Sequence, residues 1–305
     1  MADAVVLGEC MVELSLGDPG QAAVAYAGDT FNTAVYLSRL GVACDYATAV
    51  GAGDPFSRGI LQLMADEGVG SGLVVEAAGR LPGLYAIQRD ARGERSFFYW
   101  REAAPARDYM ALVDLAALAA AMRSARLVYV SAISLAILGE AGRAALLPLL
   151  RTAGEAGAGV ALDTNYRARL WPDPATARRA VEALAPHCRW VSAGVEDLEA
   201  FGADPDLAAT AWAEAGAEVV LRRADRAIEV RSGGACERFA PERPAEGEVA
   251  VVDTTGAGDS FNAAYLAARL RGAELGACVA AARRLAGAVV RHRGAIIPCA
   301  AMPAA

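Results

Sequence analysis

Residues 253–261, with the sequence DTTGAGDSF, carry the strongest chemical signal in the chain. The segment after them has the helical period and ends near Gly272. Small residues at the start of a helix let backbone amides turn toward a ligand, and the helix dipole adds partial positive charge there. The run therefore predicts an anion site. A tight turn in which Asp259 only caps the helix is the simpler alternative.

The position of Asp259 beside this turn favours a chemical role. A carboxylate next to a bound phosphate is repelled by it, so the arrangement is costly unless the carboxylate has work to do. As a general base, Asp259 would accept the proton of a hydroxyl that attacks the γ-phosphate of ATP, with Mg²⁺ accompanying the nucleotide. The amides of Gly256, Ala257 and Gly258 would stabilise the charge on the transferring group.

Absent residue types exclude several other chemistries. All 29 basic residues are arginine, and Schiff-base enzymes, pyridoxal phosphate enzymes and P-loops all need a lysine. The only histidines, His187 and His292, are too few for a multi-histidine metal centre. The six cysteines are scattered and predict reduced thiols. A net charge of -7 argues against nucleic acid or membrane partners and favours a small molecule.

The elements that must position these residues alternate between two types. Segments of helical period lie at 111–122, 139–156 and 175–184. Apolar runs that predict buried strands lie at 4–7, 46–50, 127–130, 160–162, 190–192, 219–221 and 249–252. Alternation of this kind predicts an α/β fold, a three-layer αβα sandwich around a mostly parallel sheet. We expect one domain over residues 1–305 and, without a basic leader or a membrane-length apolar run, a cytoplasmic protein.

One region breaks the alternation. Residues 81–101 predict a hairpin that turns at 90–94, and with residues 11–27 it would form a small second sheet. Such a sheet could act as a lid that excludes water from the reaction. Alternatively it is an edge that pairs two copies, and both can hold, so we expect a homo-oligomer through the lid. Residues 241–248 predict a Pro/Glu-rich loop.

A short motif occurs twice in the chain, as GDTFN at residues 28–32 and as GDSFN at residues 258–262. The run 253–261 resembles the C-terminal signature of the PfkB (ribokinase-like) carbohydrate kinases, and the run 28–34 resembles their N-terminal signature. The resemblance implies a ribokinase-like fold and sugar contacts from Gly28, Asp29 and Asn32.

Within that family the resemblance is greatest to the 2-keto-3-deoxygluconate kinases. It implies transfer of phosphate from ATP to the 6-hydroxyl of 2-keto-3-deoxy-D-gluconate, with Tyr85, Tyr99, Arg101 and Arg167 as further substrate contacts. The stretches that match are GECMVEL (8–14), LPGLY (81–85), FYWR (98–101), SLAIL (134–138), NYRARLW (165–171) and RGAIIP (293–298).

The residue types agree with that substrate. Tyr99 and Arg101 are two apart on a predicted strand and so share a face. A guanidinium matches a carboxylate with two parallel hydrogen bonds, which suits Arg101 and Arg167 to an acid. Arg167 should lie at the carboxyl end of the strand at 160–162, where ligands of open α/β sheets bind.

The nucleotide side departs from the family pattern. The resemblance implies contacts from Asn165, Ser192, Arg222, Gly256 and Gly258. Residues 193–196, AGVE, retain only a glutamate of the usual Asn-x-x-Glu, which leaves Glu196 as the candidate to organise Mg²⁺ through water.

Two further assignments have alternatives. Residues 222–226, RRADR, lack the usual glycine, so Arg222 and Arg223 are either phosphate contacts or a solvated charge run. Asp253, with Thr255, either holds a monovalent cation, as in some ribokinase-like enzymes, or braces the glycine turn.

Three rival functions remain to be compared. Another PfkB kinase, acting on fructose or ribose, would give no reason for paired arginines. A non-catalytic sugar- or nucleotide-binding protein would not require Asp259 and its glycines. A dinucleotide-binding oxidoreductase fails because Gly8 is followed by Glu9 and Cys10, with no Gly-x-Gly-x-x-Gly after the first strand.

Overall fold

The structure, a computed structural model, describes residues 2–17, 20–89, 95–241 and 251–304. The strands are β1 (Ala4–Leu7), β2 (Met11–Leu16), β3 (Ala22–Ala27), β4 (Cys44–Gly51), β5 (Val74–Ala77), β6 (Leu84–Arg89), β7 (Arg95–Trp100), β8 (Leu127–Ser131), β9 (Gly159–Asp163), β10 (Trp190–Gly194), β11 (Glu218–Arg222), β12 (Ile228–Ser232) and β13 (Ala235–Phe239). The α-helices are α1 (Asp29–Arg39), α2 (Pro55–Asp66), α3 (Tyr109–Leu112), α4 (Leu115–Ser124), α5 (Ala132–Ile137), α6 (Gly139–Glu155), α7 (Pro174–Leu184), α8 (Val195–Ala200), α9 (Pro205–Glu214), α10 (Ala257–Leu270) and α11 (Leu275–Val289).

A nine-stranded sheet with the order β13-β12-β11-β10-β9-β8-β1-β4-β5 divides the protein. From β11 to β5 neighbouring strands are parallel, whereas β12 and β13 pair antiparallel at one edge. Parallel strands bring their carboxyl ends to one edge of a sheet. The ends of β9, β10 and β11 therefore lie side by side.

Helices cover both faces of this sheet. Alternate residues of β1 point to opposite sides, Val5 and Leu7 into one apolar cluster and Ala4 and Val6 into the other. The first cluster also takes in residues of α3 to α9, and the second those of α1, α2, α10 and α11. The result is the three-layer α/β fold that the alternation predicts.

The two helices that open on the repeated motif pack against each other. The hydroxyl of Thr33 on α1 donates to the backbone oxygen of Asp259 on α10 at 3.4 Å. Helix α10 is also tied to the central sheet, since Tyr265 and Arg269 both donate to the carboxylate of Glu218 on β11. Both motifs are thus held on one face of the sheet.

The second sheet has four strands in the order β3-β2-β6-β7. Its register aligns Glu13, Tyr85 and Tyr99 on one face, and Val12, Leu84 and Trp100 on the other. The hairpin over 81–101 is therefore present as β6 and β7, while its predicted turn at 90–94 lies outside the described residues. We refer to β2, β3, β6 and β7 as the lid.

One predicted strand is wrong over the part of it that the structure describes. Residues 251–254 form no strand, and Val251 and Val252 are exposed. Their apolar side chains do not enter the core, because the chain here is fixed by backbone bonds from Val252 and Asp253 to the oxygen of Val290. The loop at 241–248 falls almost wholly outside the described residues.

The predicted helices are present with shifted limits. The segment at 111–122 is divided between α3 and α4, because Asp114 caps α4 by accepting from the amides of Ala116 and Ala117. Among the described residues, no helix combines the length and the hydropathy that crossing a membrane requires.

Candidate active site

A cavity of about 850 Å³ opens where three parts of the fold meet. The carboxyl ends of β9, β10 and β11 contribute Asp163, Gly194 and Arg222. Helices α1 and α10 turn their amino ends toward it, and the lid covers it with Met11, Tyr85, Phe97 and Tyr99. Most residues that the sequence predicts for the site line this one space, namely Gly28, Asp29, Asn32, Tyr85, Tyr99, Asn165, Arg167, Glu196, Arg222, Gly256, Gly258 and Asp259.

The glycine turn has a shape that few side chains would permit. Gly256 has φ +78°, a left-handed conformation, and a Cβ added there would lie 2.6 Å from the oxygen of Ala295. At Gly258 an added Cβ would have no neighbour within 4 Å, so its backbone faces the open cavity. A ligand can approach the start of α10 closely at this point, as an anion site requires.

The carboxylate of Asp253 fixes the glycine turn through hydrogen bonds. One of its carboxylate oxygens accepts from the amide of Thr255 at 2.9 Å and from its hydroxyl at 2.6 Å, and the other accepts from the amide of Gly294 at 3.2 Å. This geometry supports the bracing role for Asp253. A monovalent-cation role for Asp253 and Thr255 stays a prediction.

Asp259 is a buried carboxylate on the cavity wall at the start of α10. Only 8% of the residue is exposed, and its carboxylate accepts a 2.8 Å hydrogen bond from the side-chain amide of Asn32. Burial raises the pKa of Asp259 well above its usual value, the charge of Asp29 raises it further, and the Asn32 bond opposes both. A carboxylate with a raised pKa is a better base near neutral pH.

Asp29 begins α1 and faces the same space. Its carboxylate accepts from the side-chain amide of Asn165 at 3.2 Å, and burial raises its pKa. The preceding Gly28 lies against the chain at Glu9, where an added Cβ would come within 2.0 Å of the backbone oxygen. Gly28 is therefore needed to bring the start of α1 against the strand that enters the lid.

The lid contributes an aromatic wall. The rings of Tyr85 and Tyr99 stack with centroids 5.7 Å apart, and Phe97 stacks on Tyr99 at 6.4 Å. The hydroxyl of Tyr85 donates to Glu13. Stacked rings hold one another in place and present flat apolar faces with polar edges to a ligand.

The two predicted arginines have different surroundings. Arg167 is exposed and lines the cavity, with one nitrogen donating to the backbone oxygen of Tyr166 at 2.8 Å. Arg101 is buried, forms an ion pair with the buried Glu9, and lines only a smaller extension of about 90 Å³. The extension also touches Gly28, so it adjoins the lid end of the main cavity.

At the other end, Arg222 is the centre of a polar network. It bonds to Asp163 at 3.2 Å, to the hydroxyl of Ser192, and to the side-chain oxygen of Asn262 at 3.3 Å. Ser192 lies beneath this network and does not line the main cavity. Arg222 is thus a cavity residue with internal partners rather than part of a solvated charge run.

Arg223 also lines the cavity, but its guanidinium is paired with two carboxylates. It bonds to Asp206 at 2.5 Å and to Glu229 at 2.6 Å. Paired in this way, it is less available than Arg222 for a ligand.

Two carboxylates at the Arg222 end of the cavity, those of Glu196 and Asp197, are candidates for metal binding. Glu196 is exposed on α8 and lines the cavity beside Asp197, which accepts from the hydroxyl of Thr164 at 3.1 Å. Burial raises the pKa of Asp197, and the charge of Asp163 adds to the effect. Within the described ranges, no group of three or more His, Cys, Asp or Glu side chains forms a ready metal site. Oxygen donors of this type suit Mg²⁺ that is shared with a nucleotide and water.

Sequence reasoning missed several residues on the cavity wall: Ile133, Asp163, Arg169, Asp197 and Thr254. Asp163 directly follows the strand predicted at 160–162, so its position at the carboxyl edge could have been predicted. Arg169 lies two residues after Arg167 in a loop, where no periodicity indicates direction.

Comparison with known proteins shows what this chain is similar to in sequence and in fold. Residues 1–302 match the profile described as pfkB family carbohydrate kinase. A 2-dehydro-3-deoxygluconokinase of Dickeya dadantii (strain 3937) is 38% identical over 313 residues, with 98% of each chain covered. A crystal structure of a PfkB protein from Polaromonas sp. JS666 has a TM-score of 0.81 and 25% identity, covering 95% of this chain and 96% of that one. A fructokinase from Xylella fastidiosa with bound ATP has a TM-score of 0.80 at 22% identity, covering 99% and 96%, and shows likeness of fold alone.

The bond from Asn32 to Asp259 generates a testable prediction. Replacing Asn32 by Leu removes a hydrogen bond to the charged carboxylate, so the pKa of Asp259 should rise further. A bond of this type corresponds to about one pKa unit or more. The acid limb of the kcat/KM profile should therefore move to higher pH by about one unit.

The matched control is Asn165→Leu, which removes a bond to Asp29 instead. The Asn165→Leu variant should leave the acid limb of the kcat/KM profile at the wild-type pH or move it to lower pH, even if KM changes. An Asn32→Leu limb at or below the wild-type pH contradicts the assignment of the limb to Asp259.

Proposed function

The chain belongs to the pfkB family of carbohydrate kinases, and from this premise we propose that it transfers phosphate from ATP to the 6-hydroxyl of 2-keto-3-deoxy-D-gluconate. The product is 2-keto-3-deoxy-6-phosphogluconate. The observation that carries the proposal is the buried carboxylate of Asp259, which borders the glycine turn in a cavity that also presents the exposed side chain of Arg167. The 38% identity to a 2-dehydro-3-deoxygluconokinase supports the choice of sugar acid.

Asp259 is proposed to act as the general base. The 6-hydroxyl would lie against its carboxylate and transfer its proton there as the oxygen attacks the γ-phosphate. The bond from the γ-phosphorus to the leaving oxygen of ADP breaks as the new P–O bond forms. Since phosphoryl transfer needs mainly positioning and charge stabilisation, one base and one anion site suffice.

The glycine turn is proposed to stabilise the transferring group. Gly256 and Gly258 line the cavity at the start of α10, where the helix dipole adds positive charge. The amide of Ala257 donates to the backbone oxygen of Thr254 at 3.3 Å, so its expected role would require that bond to be shared. The open space at Gly258 allows the phosphate to contact the backbone. Kinases of this family use ATP with Mg²⁺, which would neutralise phosphate charge, and Glu196 is the proposed residue to hold its water shell.

The lid end is proposed to bind the sugar acid. Asp29 and Asn32 would orient its hydroxyls, Gly28 allows close backbone approach, and the stacked Tyr85 and Tyr99 would cover the carbon chain. Arg167 would pair with the carboxylate through two parallel bonds. Arg101, beside Gly28, shapes the extension at this end.

The opposite end is proposed to bind the nucleotide. Arg222 faces the space between the ends of β10 and β11 and the glycine turn, where the phosphates would lie. Ser192 fixes its guanidinium from below. Asn165, which bonds to Asp29, lies between the two ends of the cavity and would be close to both ligands.

A substrate screen with ATP tests the proposed acceptor. The wild-type chain should phosphorylate 2-keto-3-deoxygluconate with a kcat/KM at least about 100-fold above that for fructose or ribose, because only the acid offers a carboxylate to the arginines. Arg167→Gln should lower kcat/KM for the acid by roughly 10- to 100-fold and change neutral-sugar turnover little.

Arg151→Gln, an exposed arginine on α6 away from the cavity, is the matched control and should match wild type. If only neutral sugars were phosphorylated, the protein would be a different sugar kinase of the same family. If no sugar were phosphorylated although ATP bound, a non-catalytic binding protein would be favoured.

We further propose that the lid joins two copies of the chain. Its outer face is apolar and exposed, with Trp100 59%, Val24 51% and Phe98 45% accessible. Beside Trp100 lies a groove of about 810 Å³ lined mainly by apolar side chains. Because a two-fold axis pairs a face with itself, a second lid supplies a matching apolar surface.

The prediction for this interface is a change of mass. The wild-type chain should sediment as a dimer at micromolar concentration, and Trp100→Glu should shift it to monomer, since the charge would be buried without a partner. Leu207→Glu, at a residue 72% exposed on α9, is the control and should remain dimeric. A monomeric wild type refutes the interface.

A further inference from the structure

Arg169 occupies a position that its neighbours in the sequence do not reveal. It lies in the loop after β9, it is exposed, and it lines both the main cavity and the extension. Its guanidinium carbon stands 3.4 Å above the centroid of the Tyr99 ring on the lid. This places it at the lid end, together with Arg167 and apart from the glycine turn, whose residues line only the main cavity.

Stacking leaves this guanidinium free to bind an anion. A distance of 3.4 Å from the guanidinium carbon to the ring centroid leaves room only for face-on contact of the planar group, and its five N–H donors lie in that plane, at its edge. No carboxylate of the described residues bonds to Arg169. The rings of Tyr85, Phe97 and Tyr99 contact one another, with centroids 5.7 to 6.4 Å apart, so the arginine rests on a ring that its neighbours already hold in place.

Arg101 differs from Arg169 in its exposure and in having a carboxylate partner. It is only 5% exposed, and its charge is compensated by the equally buried Glu9. A ligand carboxylate that took Arg101 from Glu9 would leave a buried glutamate without a counter-charge, which is strongly unfavourable. Burial already raises the pKa of Glu9, even with Arg101 beside it. The Glu9–Arg101 pair is therefore better suited to fix the wall of the extension than to bind an anion.

We infer that Arg169 is a specificity-determining residue, which forms with Arg167 the pair of guanidinium groups that receives the carboxylate of the sugar acid. The inference rests on the proposed function, and it replaces the expected pair of Arg101 and Arg167. Because Arg169 touches Tyr99, a bound carboxylate also links the loop after β9 to the lid. An acid would then hold the lid over the site more firmly than a neutral sugar.

The test compares 2-keto-3-deoxygluconate with its neutral methyl ester in wild type and in Arg169→Ala. Loss of a charge-assisted contact should raise KM for the acid by roughly 10- to 100-fold. The carboxylate is distant from the reacting 6-hydroxyl, so kcat should change less than about threefold. KM for the ester should be nearly unchanged, and calorimetric binding of the acid without ATP should weaken in parallel.

Two further variants separate specificity from packing. Arg151→Ala, the control on α6, should retain wild-type values for both compounds. The double variant Glu9→Gln/Arg101→Met removes the buried pair together and should keep the preference for the acid. Arg169 itself is exposed, so its replacement should leave thermal unfolding close to wild type.

The outcomes distinguish the two proposals. If wild type accepts the acid but Arg169→Ala loses acid and ester equally, Arg169 only packs the lid and the inference is wrong. It is also wrong if Arg169→Ala keeps the preference while the double variant loses it. If wild type prefers neutral sugars, the proposed substrate itself fails, and the inference fails with it.

Discussion

To act as a base, the carboxylate of Asp259 must be deprotonated although it is buried beside an anion-binding turn. Burial and the charges of Asp29 and Asp163 raise its pKa, and the amide of Asn32 and the charge of Arg167 oppose them. This balance requires α1 and α10 to lie side by side, because Asn32 and Asp259 come from different helices. It also requires the left-handed turn at Gly256, where an added Cβ would collide with Ala295. The hydroxyl of Tyr36 on α1 donates to the oxygen of Ala295 at 2.6 Å and accepts from the amide of Ile297 at 3.1 Å, which joins all three parts.

The repeated pentapeptide illustrates what a sequence can predict about such a site. Both copies were expected to open helices, and both do, but they enter their helices at different points. Asp29 is the first residue of α1, whereas α10 begins at Ala257 and Asp259 is its third. Two pentapeptides that share four of five residue types thus present their aspartates differently, and the second Asn, Asn262, bonds to Tyr129 and Ser192 instead of a carboxylate. The preceding Thr-Thr-Gly-Ala-Gly run distinguishes them, and that difference is readable from the sequence.

The fold class, the lid strands and the carboxyl-edge residues follow from periodicity, because period and direction are local properties. The ion-pair partners of individual charged residues do not follow from periodicity. Nothing local indicates that Arg101 would be buried against Glu9, since the pair joins residues 92 positions apart. Nor does the loop position of Arg169 indicate stacking on Tyr99. The strand predicted at 249–252 is wrong in its described part for a similar reason. Apolar residues predict burial, but Val251 and Val252 lie where the chain bonds to the end of α11.

The measurement that tests the central claim most directly is single-turnover phosphorylation by Asp259→Asn, with binding of ATP and of the sugar acid followed separately. The substitution keeps the shape of the side chain and its contact with Asn32 while removing the proton acceptor. General-base catalysis typically contributes 10²- to 10⁴-fold, so the rate should fall by about 10³-fold while both ligands bind within a few-fold of wild type. A rate within tenfold of wild type would show that Asp259 is not the base, and the role would pass to Asp29 or to water.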